Sequence, residues 1–138
     1  RNIPKKSSMI LHGDHLYMVA DTGVASCLDA KTGESIWSER LDAGEFAASP
    51  ILSKDRLYFF SMKGNVVVTS ASPKFKMLAR GKFDNGFMAT PAVAGNALIL
   101  RTKSAVYRVE WPTTDTWNFS SIGPRPTAPD AQIFRDDQ

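Results

Sequence analysis

The stretch Ser8–Gly23, SMILHGDHLYMVADTG, decides how this chain is read, because it comes back. SPILSKDRLYFFSMKG begins at Ser49 and TPAVAGNALILRTKSA at Thr90, each 41 residues after the one before and aligned without a gap. Leu16, Leu57 and Leu98 fall in register, as do Asp14, Asp55 and Asn96. Phe46 aligns with Phe87, Pro50 with Pro91, and Gly23 with Gly64. Self-similarity at a fixed period marks an architecture of stacked units, each too small to bury its own apolar face.

Within a unit the pattern is that of short strands and tight turns. MIL, PIL and PAV open the units, and GDH, KDR and GNA turn the chain with Asp, Asn or Gly, the residues that tolerate unusual backbone angles. LYMVA, LYFFS and LILRT follow as second strands, and VASCLD, VVVTS and VYRVE as third. A fourth strand is expected at SIWSERL and at KMLARGKF. LYFF and VVV are unbroken apolar runs, whereas a sheet with one wet face alternates. Both faces are therefore expected to be covered, which suits a blade packed between two neighbours. The fold expected is all-β: about three four-stranded antiparallel blades of a β-propeller, in units of about 8–48, 49–89 and 90–111.

The first unit carries one more signature, CLDAKTGESIW, from Cys27 to Trp37. Asp29 can accept from backbone N–H groups two residues on, Gly33 supplies a positive φ, and Trp37 offers a wide apolar face with one donor. On the residues alone this is a clasp between blades. The stretch also resembles the pyrroloquinoline-quinone-like propeller repeat, A-x-D-x-x-T-G-[KE]-x-x-W, with Asp29, Thr32, Gly33, Glu34 and Trp37 matching and Cys27 replacing the usual alanine. In the second unit TSASPKFKML stands where the motif belongs, with Leu78 in the place of Trp37, and the third unit leaves the pattern after Trp111. The resemblance implies scaffold proteins outside the cytoplasm, of the outer-membrane assembly lipoprotein type, and so a periplasmic or secreted location. It also implies an alternative, the C-terminal part of a quinoprotein dehydrogenase. Such enzymes hold the quinone with calcium at the propeller axis, using a base and often adjacent cysteines. This chain has one cysteine and no assignable ligand set, so no cofactor, no metal and no catalytic residue are expected.

Other chemistry-bearing patterns have blander readings. Asp21-Thr22-Gly23 is the tripeptide of aspartic proteases, yet its repeat partners are Met62, Lys63 and Gly64, so only the turn glycine recurs. His12, Asp14 and His15 lie close together, but SKDR and AGNA fill the same slots. Cys27 sits in a strand and reads as a small buried hydrophobe. Lys74, Lys76, Arg80 and Lys82 form a basic run interleaved only by Phe75 and Phe83, which is the pattern of a solvated strand face, and no nucleic-acid partner is expected. Glu34, Glu39 and Glu45 read as exposed charges. No apolar run approaches the ~20 residues that a membrane helix needs, so no insertion is expected.

Residues 1–7 read as an N-terminal extension and 112–138 as a Pro-rich tail. That tail is a linker, a disordered end or a segment wrapping the sheet through Trp117, Phe119 and Phe134, and NFS at Asn118 is a glycosylation sequon. Closed propellers have about four to eight blades. Three units thus lead us to expect an incomplete propeller, either the C-terminal part of a longer one or a chain that self-associates. The function expected is a non-catalytic scaffold or protein-interaction module whose partner is a protein or upstream blades. Phe46, Phe87 and Met88 are candidate interaction residues on the loops, although both Phe positions recur in the repeat and a structural role in the core is the favoured reading there.

Overall fold

A computed structural model describes residues 2–110 and, as backbone, the strand at 131–135. Three four-stranded antiparallel sheets follow one another along the chain. The first contains β1 (Ile10–His12), β2 (His15–Val19), β3 (Val24–Asp29) and β4 (Ser35–Arg40). The second contains β5 (Ile51–Ser53), β6 (Arg56–Phe60), β7 (Asn65–Ser70) and β8 (Met77–Lys82). The third contains β9 (Ala92–Ala94), β10 (Ala97–Arg101), β11 (Ala105–Glu110) and β12 (Ala131–Arg135). Strands neighbour each other in sequence order within every sheet, which is the up-and-down meander of a propeller blade. The all-β, three-blade architecture expected from the repeat is the one present.

The unbroken apolar runs are explained by faces used in both directions. Leu57, Phe59 and Val67 of the second sheet pack on Tyr17, Val19, Ala25 and Cys27 of the first. Tyr58, Phe60, Val66 and Val68, on the opposite face, pack on Leu98, Leu100, Tyr107 and Val109 of the third. Burying one such side chain contributes about 1.5–3 kcal/mol. No sheet can bury both its faces alone, so these two interblade cores hold the sheets together. Between the second and third sheets the rings meet edge to face, with Phe87 at 5.5 Å from Phe60 and 5.3 Å from Phe83.

The repeat is also written in hydrogen bonds. The Ser8 N–H donates to Ser49 Oγ at 2.8 Å, and the Ser49 N–H donates to Thr90 Oγ1 at 2.9 Å, so equivalent residues of successive blades join in a ladder. Ala30 N–H donates to the Asp14 carbonyl and Ala71 N–H to that of Asp55, the same bond one unit apart. Isolated bridges pair Phe46 with Ser61 and Phe87 with Thr102. A β-bulge recurs as well, between Cys27 and Leu28 and again between Val68 and Thr69.

Three details differ from the ungapped reading. Trp37 pairs with Cys27, but it is Ala79 that pairs with Val68, so Leu78 takes the bulge position of Ile36 rather than the place of Trp37. The β7–β8 turn is one residue longer than its counterpart, and the chain recovers the 41-residue frame before Phe87. In the third blade the hairpin spans 102–105 where the second spans 61–65. There the Thr102 hydroxyl accepts from Ala105 N–H at 3.2 Å, closing a tighter turn that needs no equivalent of Gly64. Finally, the segment read as a tail without strand periodicity contains β12, which pairs with β11 from Ala105↔Arg135 to Val109↔Ala131. The backbone pairing completes the third sheet from a distance in sequence that local pattern does not register. Trp111, Trp117, Asn118 and Phe119 lie outside the described residues.

Candidate functional site

The signature turn is built from its first residue. Asp29 Oδ1 accepts from the backbone N–H of Thr32 at 2.8 Å and of Lys31 at 2.9 Å. Those two N–H groups, Thr32 foremost, hold the Asp29 carboxyl below the usual aspartate range. Thr32 Oγ1 accepts from Glu34 N–H at 3.2 Å, and Gly33, at φ +75°, donates back to the Asp29 carbonyl at 2.8 Å. The Asp29 carboxylate, the Thr32 hydroxyl and the Gly33 N–H are all engaged within the turn itself. The chain then enters β4 and presents Trp37, half-buried, towards the second blade. Its Nε1–H donates to the Ser72 carbonyl at 3.0 Å, and its ring meets Phe75 edge-on at 5.1 Å. Asp29, Thr32, Gly33 and Trp37 are brought together here as a joint between blades.

The candidate interaction residues separate. Phe46 and Phe87 are 1% and 0% exposed, and both lie in the interblade cores. Their rings are not available to a partner, which removes these two as interaction residues and leaves the core alternative; they recur because the packing between blades needs them. Phe46 N–H also donates to the Asp21 carbonyl, tying the β4–β5 connection to the β2–β3 turn, so these segments share one rim. The β1–β2 and β3–β4 turns share the opposite rim, through Ala30 and Asp14. Met88 is 64% exposed. It lines a surface cleft of about 460 Å³ with Met62, Gly86, Ala89, Arg101, Thr102 and Lys103. Sequence reasoning passed over Arg101 and Lys103. The available signal was the repeat itself, since Arg101 occupies the slot of Val19 and Phe60.

The remaining motifs are placed as follows. Asp21 Oδ1 accepts from Lys5 N–H at 3.0 Å, with Lys6 Nζ 3.5 Å from the same carboxylate. The Lys5 N–H is the main reason that the Asp21 carboxyl sits low, unlike a protease aspartate that shares a proton. His12 Nε2 lies 3.0 Å from Asp55 Oδ1 of the next blade, while Asp14 pairs with Lys31 at 3.0 Å, so the HGDH side chains turn to different partners. Burial pushes the Cys27 thiol up, and the group is fully enclosed. Arg80 Nη2 donates to the Leu41 carbonyl at 2.7 Å and Lys82 Nζ to that of Lys63, so half of the basic run is anchored on main-chain oxygens.

Comparison with known proteins agrees with this geometry. A family model described as outer membrane protein assembly factor BamB matches residues 4–74, just over half of the chain. The chain belongs to that family. The matched span covers the first blade, its clasp and most of the second blade up to the β7–β8 turn. No curated protein matches the sequence. Among 90 matching chains of solved structures is BamB from Moraxella catarrhalis, with a TM-score of 0.62 and 15% identity over 76% of this chain and 33% of that one. That likeness is one of fold, and this chain spans about a third of that protein's length. Among the described residues no helix is long and apolar enough to cross a membrane.

Proposed function

We propose that the chain is a non-catalytic protein-interaction module, a set of propeller blades working as a scaffold in an extracytoplasmic bacterial protein. The observation that carries this reading is the use made of the family signature. Asp29, Thr32 and Gly33 satisfy one another's turn, and Trp37 fastens its blade to the next through Ser72. Residues spent in this way build a rigid surface, and binding then falls to the exposed loops that such a scaffold positions. The description of the family as an outer membrane protein assembly factor supports a partner that is itself a protein.

Site-specific photo-crosslinking in cells tests the proposal. A photoreactive side chain is placed at Met88 or Lys63 on one rim, and at Lys31 or Lys54 on the other. A discrete adduct of one mass from one rim supports the reading, and the absence of any adduct from all four positions overturns it. A parallel thermal melt with pyrroloquinoline quinone and Ca²⁺ addresses the dehydrogenase alternative. A clear rise in Tm would favour the enzyme.

A further inference from the structure

The third blade departs from the repeat at the end of its second strand. In blades one and two, the last position of the second strand is apolar and sealed against the following sheet: Val19 and Phe60 are both 0% exposed. The same position of the third blade is Arg101, and it is exposed, with no sheet following the third among the described residues. Lys103 follows two residues later, also exposed, where the second blade has Met62 and the first Asp21. Neither cation has an ion-pair partner among the described residues, in contrast to Arg108, which pairs with Glu110 on the same sheet face.

Arg101 and Lys103 both line the cleft of about 460 Å³ introduced above. Its other walls are Met62, Gly86, Met88 and Ala89. Thr102 closes the floor, with its hydroxyl already engaged by Ala105. Among the described residues the lining therefore has two cations without an ion-pair partner, two methionines and no carboxylate. The equivalent of Gly86 in the first interblade junction is Glu45, which would bring a carboxylate there. Gly86 keeps the second junction free of one, and its position against the Met62 carbonyl leaves no room for any side chain. A volume of this size is within the range of sites that enclose a small ligand or a few side chains. Methionine walls suit a partner of variable apolar shape, and paired cations beside them select negative charge.

We infer that this cleft docks a peptide segment of a protein partner in which acidic and aliphatic side chains alternate. A carboxylate would lie against Arg101 and Lys103, with an aliphatic neighbour against Met62 and Met88. The inference rests on the interaction-module reading and supplies its recognition chemistry.

The test uses the full chain and two acetylated, amidated heptapeptides labelled with a fluorophore. One alternates leucine with aspartate or glutamate; the other carries asparagine and glutamine at the acidic positions. Fluorescence anisotropy is read against the wild type, against the Arg101→Gln/Lys103→Gln double variant and against Met88→Gln. All three substituted positions are exposed, and an unchanged circular dichroism spectrum and Tm establish that the variants fold. The acidic peptide is expected to bind at least about tenfold more tightly than the neutral one, to lose about tenfold in the double variant, and to weaken as salt rises. Met88→Gln is expected to weaken both peptides by similar factors. Equal binding of the two peptides, binding unchanged in the double variant, or no binding of either peptide overturns the inference. If the photo-adducts persist while the acidic peptide fails to bind, the cleft assignment falls and the scaffold reading stands. Loss of the adducts from all four positions removes the scaffold reading itself.

Discussion

The indole N–H of Trp37 reaches the carbonyl of Ser72, 35 residues further on and in the next blade. The pairing slot of Trp37 in that second blade holds Ala79, so the bond is made once among the described blades and not repeated. The joint between the first two blades is thus fastened from the outside by a ring and a donor. The joint between the second and third blades relies on Phe60, Phe83, Phe87 and Tyr107 packed inside.

Trp37→Phe should separate the two contributions of that side chain. It keeps an aromatic face towards Phe75 and removes the donor, at an expected cost of about 1 kcal/mol. Trp37→Ala removes both and should cost about 3 kcal/mol. Urea titration of the two variants measures the difference. Equal losses would show that the hydrogen bond dominates and that the ring contributes little.

Two glycines should respond in opposite measure to alanine. At Gly86 a Cβ would stand 1.7 Å from the Met62 carbonyl oxygen, and only backbone movement can relieve that contact, so a loss of at least about 2 kcal/mol is expected. Gly33 has φ +75° but open space around it, so Gly33→Ala meets only backbone strain, about 1 kcal/mol. The midpoint of thermal or urea unfolding ranks them. A milder effect at Gly86 than at Gly33 would contradict the close interblade approach.

Acid should loosen the first blade through Asp21 and Asp29. Both carboxyls sit lower in the folded chain than in the unfolded one, because backbone N–H groups hold the charged forms. A depressed folded-state pKa gives stability that is present above the unfolded value, about 3.9, and is lost as pH falls through the folded-state value. Urea midpoints should therefore decline as pH drops below about 4, and less steeply in Asp29→Asn. An identical slope in the variant would mean that the turn does not hold its charge.

Cys27 gives a direct readout of whether the first interblade core is closed. The thiol is 0% exposed and its pKa is raised by burial, so both access and thiolate are scarce. A thiol reagent such as Ellman's should leave the native chain untouched at neutral pH and modify one cysteine per chain in denaturant. Rapid modification of the native chain would show that the first two blades separate readily.

How far the sequence reading reached follows from what recurs in it. Leu57 and Phe59 face one neighbour while Tyr58 and Phe60 face the other, so a blade covered on both sides leaves an unbroken apolar run that is readable without coordinates. The clasp was legible for a similar reason, because Asp29, Gly33 and Trp37 each do something that only their residue type does well. Phe46 and Phe87 stayed open between core and surface because recurrence on a loop looks the same whether a ring points inward or outward. β12 was missed because its pairing with β11 is long-range and its own composition is weak. One-residue shifts at Ala79 and Ala105 compensate or fall late, so an ungapped alignment passes over them. Arg101 went unnoticed because the eye follows matches, whereas Arg101 is a departure from the repeat.

The ladder from Ser8 through Ser49 to Thr90 links each blade only to its immediate neighbour. An arch of cut stones works in this way, each stone shaped to the next and none to the whole span. The seat of each blade is then set joint by joint, and a longer arc would need only further joints that carry the same ladder. A lesion in one blade should tilt the stones beside it and leave the pitch of distant ones unchanged.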